Sequence, residues 1–220
     1  MLRLASSTSA SVGTCHSIAP RVVLVSLMRV FVAGASGVIG VRLVPLLVAA
    51  GHEVAGLTRS PEKVEALRRL GALPVVCDVF DRKALRAAVG DFGPDVIVSE
   101  LTDLPDDRTQ LQTYRSANDR MRREGTRNLL AAAAAATTPR FLAQSIAWHL
   151  SGERGAAVQE FERMVLEAGG VVLRYGRFYG PGTFYESELP ESPRVSVDEA
   201  AKTTADLLEA ESGVVTIADA

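Results

Sequence analysis

From Arg29 onward, short apolar runs alternate with longer segments whose apolar positions recur every three to four residues. Val30–Ala33, Glu53–Thr58, Leu73–Cys77, Asp95–Ser99, Arg140–Gln144 and Val171–Arg174 have the length and β-branched content of buried strands. Between them the spacing predicts helices over Val38–Ala50, from Ser60 to near Gly71, from Asp81 to Gly90, over Tyr114–Ala136 and over Ala156–Ala168. Gly51 closes the first helix, and Pro45 inside it removes one backbone donor. Ser60 stands as N-cap before Pro61 and Glu62, and Asp81 caps the next helix. The unbroken alanine run Ala131–Ala136 favours helix, and Pro139 stops it. Leu101–Thr109 is acidic and loop-like, and Val214–Ile217 is strand-like. Strands alternating with helices in this way build right-handed βαβ units around a parallel sheet, so the fold class is α/β.

Composition narrows the function classes. The 220 residues carry a formal net charge of −2, so there is no basic footprint for nucleic acid. The 47% hydrophobic content suits a folded domain with a sizeable core. Cys15 and Cys77 are far apart, without CxxC spacing or a histidine cluster. That pattern implies free thiols in a reducing cytoplasm, with no disulfide framework and no metal site. Residues 1–27 differ from the rest: they hold Ser, Thr and Ala, two arginines (Arg3 and Arg21) and no acid, the first carboxylate being Glu53. They read as a disordered extension upstream of Met28, or alternatively as a targeting peptide. No run is long enough to span a bilayer.

The chemistry begins at Gly34-Ala35-Ser36-Gly37-Val38-Ile39-Gly40. This GxxGxxG follows an apolar strand and opens a helix, the context that gives the motif meaning. Gly34 permits a tight turn, Gly37 lets backbone approach a pyrophosphate, and Gly40 lets helix pack on strand. The anion would lie on the helix N-terminus near Ser36, Val38 and Ile39, where free N–H groups and the helix dipole favour negative charge. The loop therefore predicts a dinucleotide-binding Rossmann domain. At the end of the second strand stands Thr58-Arg59-Ser60, where an acid would grip the ribose hydroxyls of NAD. Arg59 instead suits a 2′-phosphate, which favours NADP over the alternative, NAD. Asp78 and Val79, after the third strand, are placed for the adenine edge, although Asp78 also reads as a turn residue.

With these residues in view, the chain resembles the short-chain dehydrogenase/reductase superfamily, and more narrowly its extended and atypical branch of epimerase/dehydratase-like proteins. The resemblance rests on the GASGVIG loop, Leu57-Thr58-Arg59, Cys77-Asp78-Val79, Asp95–Val98 and Gly125–Leu130. It continues through Leu173–Thr183, with its Tyr179-Gly180-Pro181-Gly182, and Val195–Ala201. It implies a Rossmann-type doubly wound parallel sheet over 28–180 and a reduced C-terminal substrate lobe over 181–220. It further implies NAD(P)-dependent oxidoreductase or epimerase chemistry on a small carbonyl or hydroxyl substrate, and a homodimer built on the long helix.

Two departures qualify the activity. The family's Tyr-xxx-Lys proton-transfer pair would stand after the fifth strand, yet Ser151–Glu167 contains neither residue type. The catalytic candidates left are Ser145, which either positions a substrate oxygen or satisfies backbone at a strand end, and Tyr179, after the sixth strand. His149 and Trp148 read as structural or pocket-wall residues, and Glu160 and Glu162 as an exposed helical face. The stretch between Thr183 and Arg194 is also short for a substrate lobe. Three readings follow: an NADP-dependent enzyme with an unusual acid, a non-catalytic NAD(P)-binding module, or a relative that has lost activity.

Overall fold

The computed structural model describes residues 26–105 and 107–219, so the expectation for residues 1–25 lies outside the described residues. The strands are β1 (Arg29–Ala33), β2 (Glu53–Thr58), β3 (Leu73–Val76), β4 (Val96–Ser99), β5 (Arg140–Ile146), β6 (Val171–Tyr175), β7 (Arg177–Tyr179), β8 (Arg194–Ser196) and β9 (Gly213–Ile217). The α-helices are α1 (Gly40–Ala49), α2 (Val64–Arg69), α3 (Arg82–Phe92), α4 (Arg115–Arg120), α5 (Thr126–Ala135), α6 (Gly152–Glu167) and α7 (Val197–Asp206).

Seven strands form one sheet in the order β3-β2-β1-β4-β5-β6-β9, every neighbouring pair parallel. The order reverses between β1 and β4, where such folds open a crevice at the carboxyl ends of the strands. A parallel sheet must be covered on both faces, and here it is. One core gathers Val30, Val32, Leu43, Leu47, Val96 and Val98 beneath α1 and α7. The other gathers Phe31, Ile97, Leu85, Leu129, Phe161 and Val165 beneath α3, α5 and α6. Each fully buried Leu, Ile or Phe contributes roughly 1.5–3 kcal/mol relative to exposure.

Residues 181–219 do not stand apart from this body. The α7 helix packs on α1, and β9 extends the sheet beside β6. Only β7 and β8 form a separate, two-stranded sheet.

The elements depart from the sequence expectations at four points. Gly90 does not end α3; the helix runs to Phe92 and stops at Gly93, whose φ of +60° is left-handed. Ser60 makes no side-chain cap, and Pro61–Lys63 is a 3₁₀ turn leading into α2. The α6 helix begins at Gly152, one turn earlier than the apolar pattern suggests. The long helix is interrupted: Met121–Gly125 is a π-turn between α4 and α5, with the Thr126 amide donating to the Met121 carbonyl. Asp81 does cap α3, its carboxylate accepting from the Ala84 amide at 3.0 Å.

Candidate cofactor and substrate site

The loop between β1 and α1 is shaped by its glycines. Gly34 has φ +87°, and a Cβ there would sit 2.8 Å from the Glu100 carbonyl oxygen. A Cβ on Gly40 would come within 2.4 Å of the Gly34 carbonyl oxygen, so α1 could not start where it does. The Gly37 amide closes the turn onto the Gly34 carbonyl at 2.9 Å. The amides of Ser36, Val38 and Ile39 donate to no described protein atom. Three free donors at a helix start form a cradle for a phosphate anion. Arg42, one turn into α1, donates to the Val38 and Pro181 carbonyls and to Asp198.

At the end of β2, the Ser36 and Thr58 hydroxyls lie 3.2 Å apart. The Arg59 guanidinium pairs with Asp103 at 2.9 Å but remains 60% exposed. Its pKa is raised, first by that hydrogen bond. The Asp78 carboxylate accepts from the Phe80 amide at 2.9 Å, a turn contact. The Val79 carbonyl accepts from Asn128 at 3.1 Å, which ties the loop after β3 to α5.

Ser145, near the end of β5, is buried. Its hydroxyl lies 2.5 Å from Glu162 Oε1. Glu162 also receives Arg174 Nε at 2.9 Å and Arg174 Nη2 at 2.6 Å. A carboxylate gripped by a guanidinium only accepts, so Ser145 must donate its single hydrogen to it. Glu162 is buried, which corrects its expected place on an exposed helical face. The physical reason is Arg174: a charge inside the apolar strand Val171–Tyr175 draws an acid from the facing helix.

A narrow pocket of about 20 Å³, enough for one water, opens beside Ser145. Ser99, Thr102, Arg122, Thr126 and Gln144 also line it. Arg122 comes from the π-turn. Tyr179 is not in this pocket; the Asp219 carboxylate beside it raises its pKa. His149 is exposed. Trp148 lies under the Arg177 guanidinium, 4.9 Å from its ring centroid. At the start of α6, where a Tyr-xxx-Lys pair would stand, two stretches of backbone run close together. A Cβ on Gly155 would lie 2.1 Å from the Leu150 carbonyl oxygen.

Sequence reasoning missed Glu100. It follows β4 directly, beneath the glycine loop, and is fully buried. Its Oε1 lies 3.0 Å from the Tyr175 hydroxyl, which lies 2.6 Å from Thr204 Oγ1. Thr204 in turn donates to the Ala200 carbonyl at 2.7 Å. The Tyr175 hydroxyl donates to Glu100 Oε1, and in its contact with Thr204 either hydroxyl can be the donor. Burial pushes the Glu100 pKa up to about 8, against the lowering effect of the Tyr175 hydrogen bond. Glu100 Oε2 has no partner. Among the described residues no cluster could hold a metal, and no helix is long and apolar enough to cross a membrane.

A glycine cradle at a helix start, placed at the reversal of a doubly wound parallel sheet, defines a dinucleotide-binding Rossmann protein. The chain belongs to the NAD(P)H-binding family, whose model matches residues 34–169. It is 38% identical to a 3-diazoavenalumate denitrifying reductase of Streptomyces sp., over 76% of this chain and 62% of that protein. It is 33% identical to a 3-beta-hydroxysteroid dehydrogenase of Mycolicibacterium neoaurum, over 53% of this chain and 31% of that protein. The chain thus spans less than two thirds of the length of either relative. A similar solved structure is the UDP-glucose 4-epimerase of Thermotoga maritima with UDP-glucose. Its TM-score is 0.72 at 18% identity, covering 87% of this chain and 77% of that one. Another is the UDP-glucose 4-epimerase of Thermus thermophilus with NAD. Its TM-score is 0.69 at 20% identity, covering 87% and 78%. These two likenesses establish the fold.

Proposed function

We propose that the chain is an NADPH-dependent reductase that delivers hydride to a small organic electrophile. The observation that carries this reading is the glycine cradle with its free Ser36, Val38 and Ile39 amides. Those amides and Gly34, Gly37 and Gly40 would hold the pyrophosphate. Asp78 and Val79 would flank the adenine. Arg59 would take the 2′-phosphate, since Asp103 occupies one of its nitrogens and the group stays exposed.

When bound, the cofactor supplies a hydride; the chain's residues bind and orient the acceptor. Ser145 gives its hydrogen to Glu162, and the start of α6 has no phenol. Neither place delivers a proton, so the reading favours an acceptor that needs none from the protein. The Streptomyces relative's name describes reduction of a diazo compound with loss of nitrogen. Replacing a carbon–diazonium bond by carbon–hydrogen consumes one hydride, and dinitrogen leaves with the electron pair of the broken bond. Carbonyl acceptors remain within the reading where solvent supplies the proton.

A second reading, a binding module that holds NAD(P) without turnover, is favoured by the absence of both Tyr and Lys from Ser151–Glu167. Fluorescence titration with NADPH and NADH tests the first half: NADPH is expected to bind at least tenfold tighter, and Arg59→Asp to reverse the order. No binding of either cofactor overturns both readings. Aryl diazonium and aldehyde probes then test turnover, read as NADPH oxidation above a protein-free control. Tight binding without oxidation of either probe favours the second reading.

A further inference from the structure

The pocket beside Ser145 has an unusual polarity. Arg122 lines it from the π-turn, and its side chain is only 17% exposed. Its one described hydrogen-bond partner is Asp119, at a long 3.4 Å. A guanidinium has five N–H donors, so most of this group's capacity is unused. Arg154 adds a like charge nearby, while Glu162 is already neutralised by Arg174. Three guanidinium groups therefore face two carboxylates, Asp119 and Glu162, and the excess is positive. Burial lowers the Arg122 pKa, and Asp119 offsets this only in part.

The second feature is the direction of the Ser145 hydroxyl. With its hydrogen committed to Glu162, Ser145 can offer the pocket only lone pairs. It accepts from a ligand and cannot donate to one. The π-turn supplies the geometry, because its extra residue turns the helix and brings Arg122 to the pocket wall.

We infer that this pocket is an anion subsite: Arg122 takes the carboxylate of a substrate, and Ser145, held by Glu162, accepts from a hydroxyl or N–H beside it. A pocket of this size takes one water-sized group, so a single carboxylate oxygen enters it and the rest of the molecule lies outside. The inference rests on the reductase reading for the word substrate, but not for the binding itself.

The test is calorimetric titration of the full chain, with and without saturating NADPH. The probes are 3-hydroxybenzoate, its neutral counterpart 3-hydroxybenzamide, and 3-methoxybenzoate. The carboxylate is expected to bind at least tenfold tighter than the amide. Arg122→Gln should erase that preference and Arg122→Lys should keep part of it. Ser145→Ala should erase the advantage of the hydroxyl over the methoxy probe. Equal affinity for benzoate and benzamide, including no binding of either at about 10 mM, overturns the inference, and so does a preference that survives Arg122→Gln. NADPH fluorescence on the same samples separates the two claims: cofactor binding without carboxylate preference sinks the subsite alone. Carboxylate preference without cofactor binding sinks the reductase reading alone.

Discussion

The Tyr175 hydroxyl bridges Glu100 and Thr204, and burial raises the Glu100 pKa to about 8, so this acid is neutral below that pH. The consequence for stability has a definite sign. Between its ordinary value of 4.5 and its folded value of about 8, the unfolded chain loses the proton while the folded chain keeps it. The folded state then binds more protons, so stability falls as pH rises across that window and levels off above it. The slope for one group is at most about 1.4 kcal/mol per pH unit. Glu100→Gln should remove this component, so urea midpoints of variant and parent should diverge from pH 5 to pH 8. Parallel curves would show that Glu100 is ionised.

Gly40→Ala places a methyl 2.4 Å from the Gly34 carbonyl oxygen and 2.5 Å from Ala35 backbone. Backbone cannot yield as a flexible side chain can, so the loop must move. The expected result is a loss of about 1–3 kcal/mol in stability and at least a tenfold weaker NADPH titration. Unchanged NADPH affinity would remove the loop from the cofactor site.

Gly90→Ala should act in the opposite direction. Gly90 lies inside α3 with open space around it. Alanine there should raise stability by about 0.5–1 kcal/mol, measured by thermal melting. A drop in Tm would contradict the continuation of α3 to Phe92.

Asp103→Asn releases Arg59 from its ion pair at 2.9 Å. If the guanidinium receives the 2′-phosphate, NADPH affinity should rise several-fold while NADH affinity stays level. The same change in both affinities would place Arg59 away from the phosphate.

Most of the architecture was legible in the sequence because parallel strands and amphipathic helices leave strong periods. The glycine loop was legible because its three glycines answer separate backbone constraints, a Cβ at each meeting backbone oxygen within 3.2 Å. The π-turn was not, since Met121–Glu124 are ordinary helix formers and Gly125 alone does not specify a wider turn. Glu162 left a weak signal, a lone Arg174 in an apolar strand that demanded a counter-charge. Glu100 left a similar one, an acid directly after the fully buried strand Val96–Ser99. Arg122 left none, because its neighbours in the sequence are charged as well.

Arg42 binds the Val38 carbonyl, the Pro181 carbonyl and Asp198 with one side chain. A single guanidinium thus fastens the glycine turn to the start of α7, a region more than a hundred positions downstream. Opening one fastening loosens the other, so the two segments share an exchange-protection free energy. An occupied cradle would slow amide hydrogen exchange in α7 although nothing bound there touches that helix.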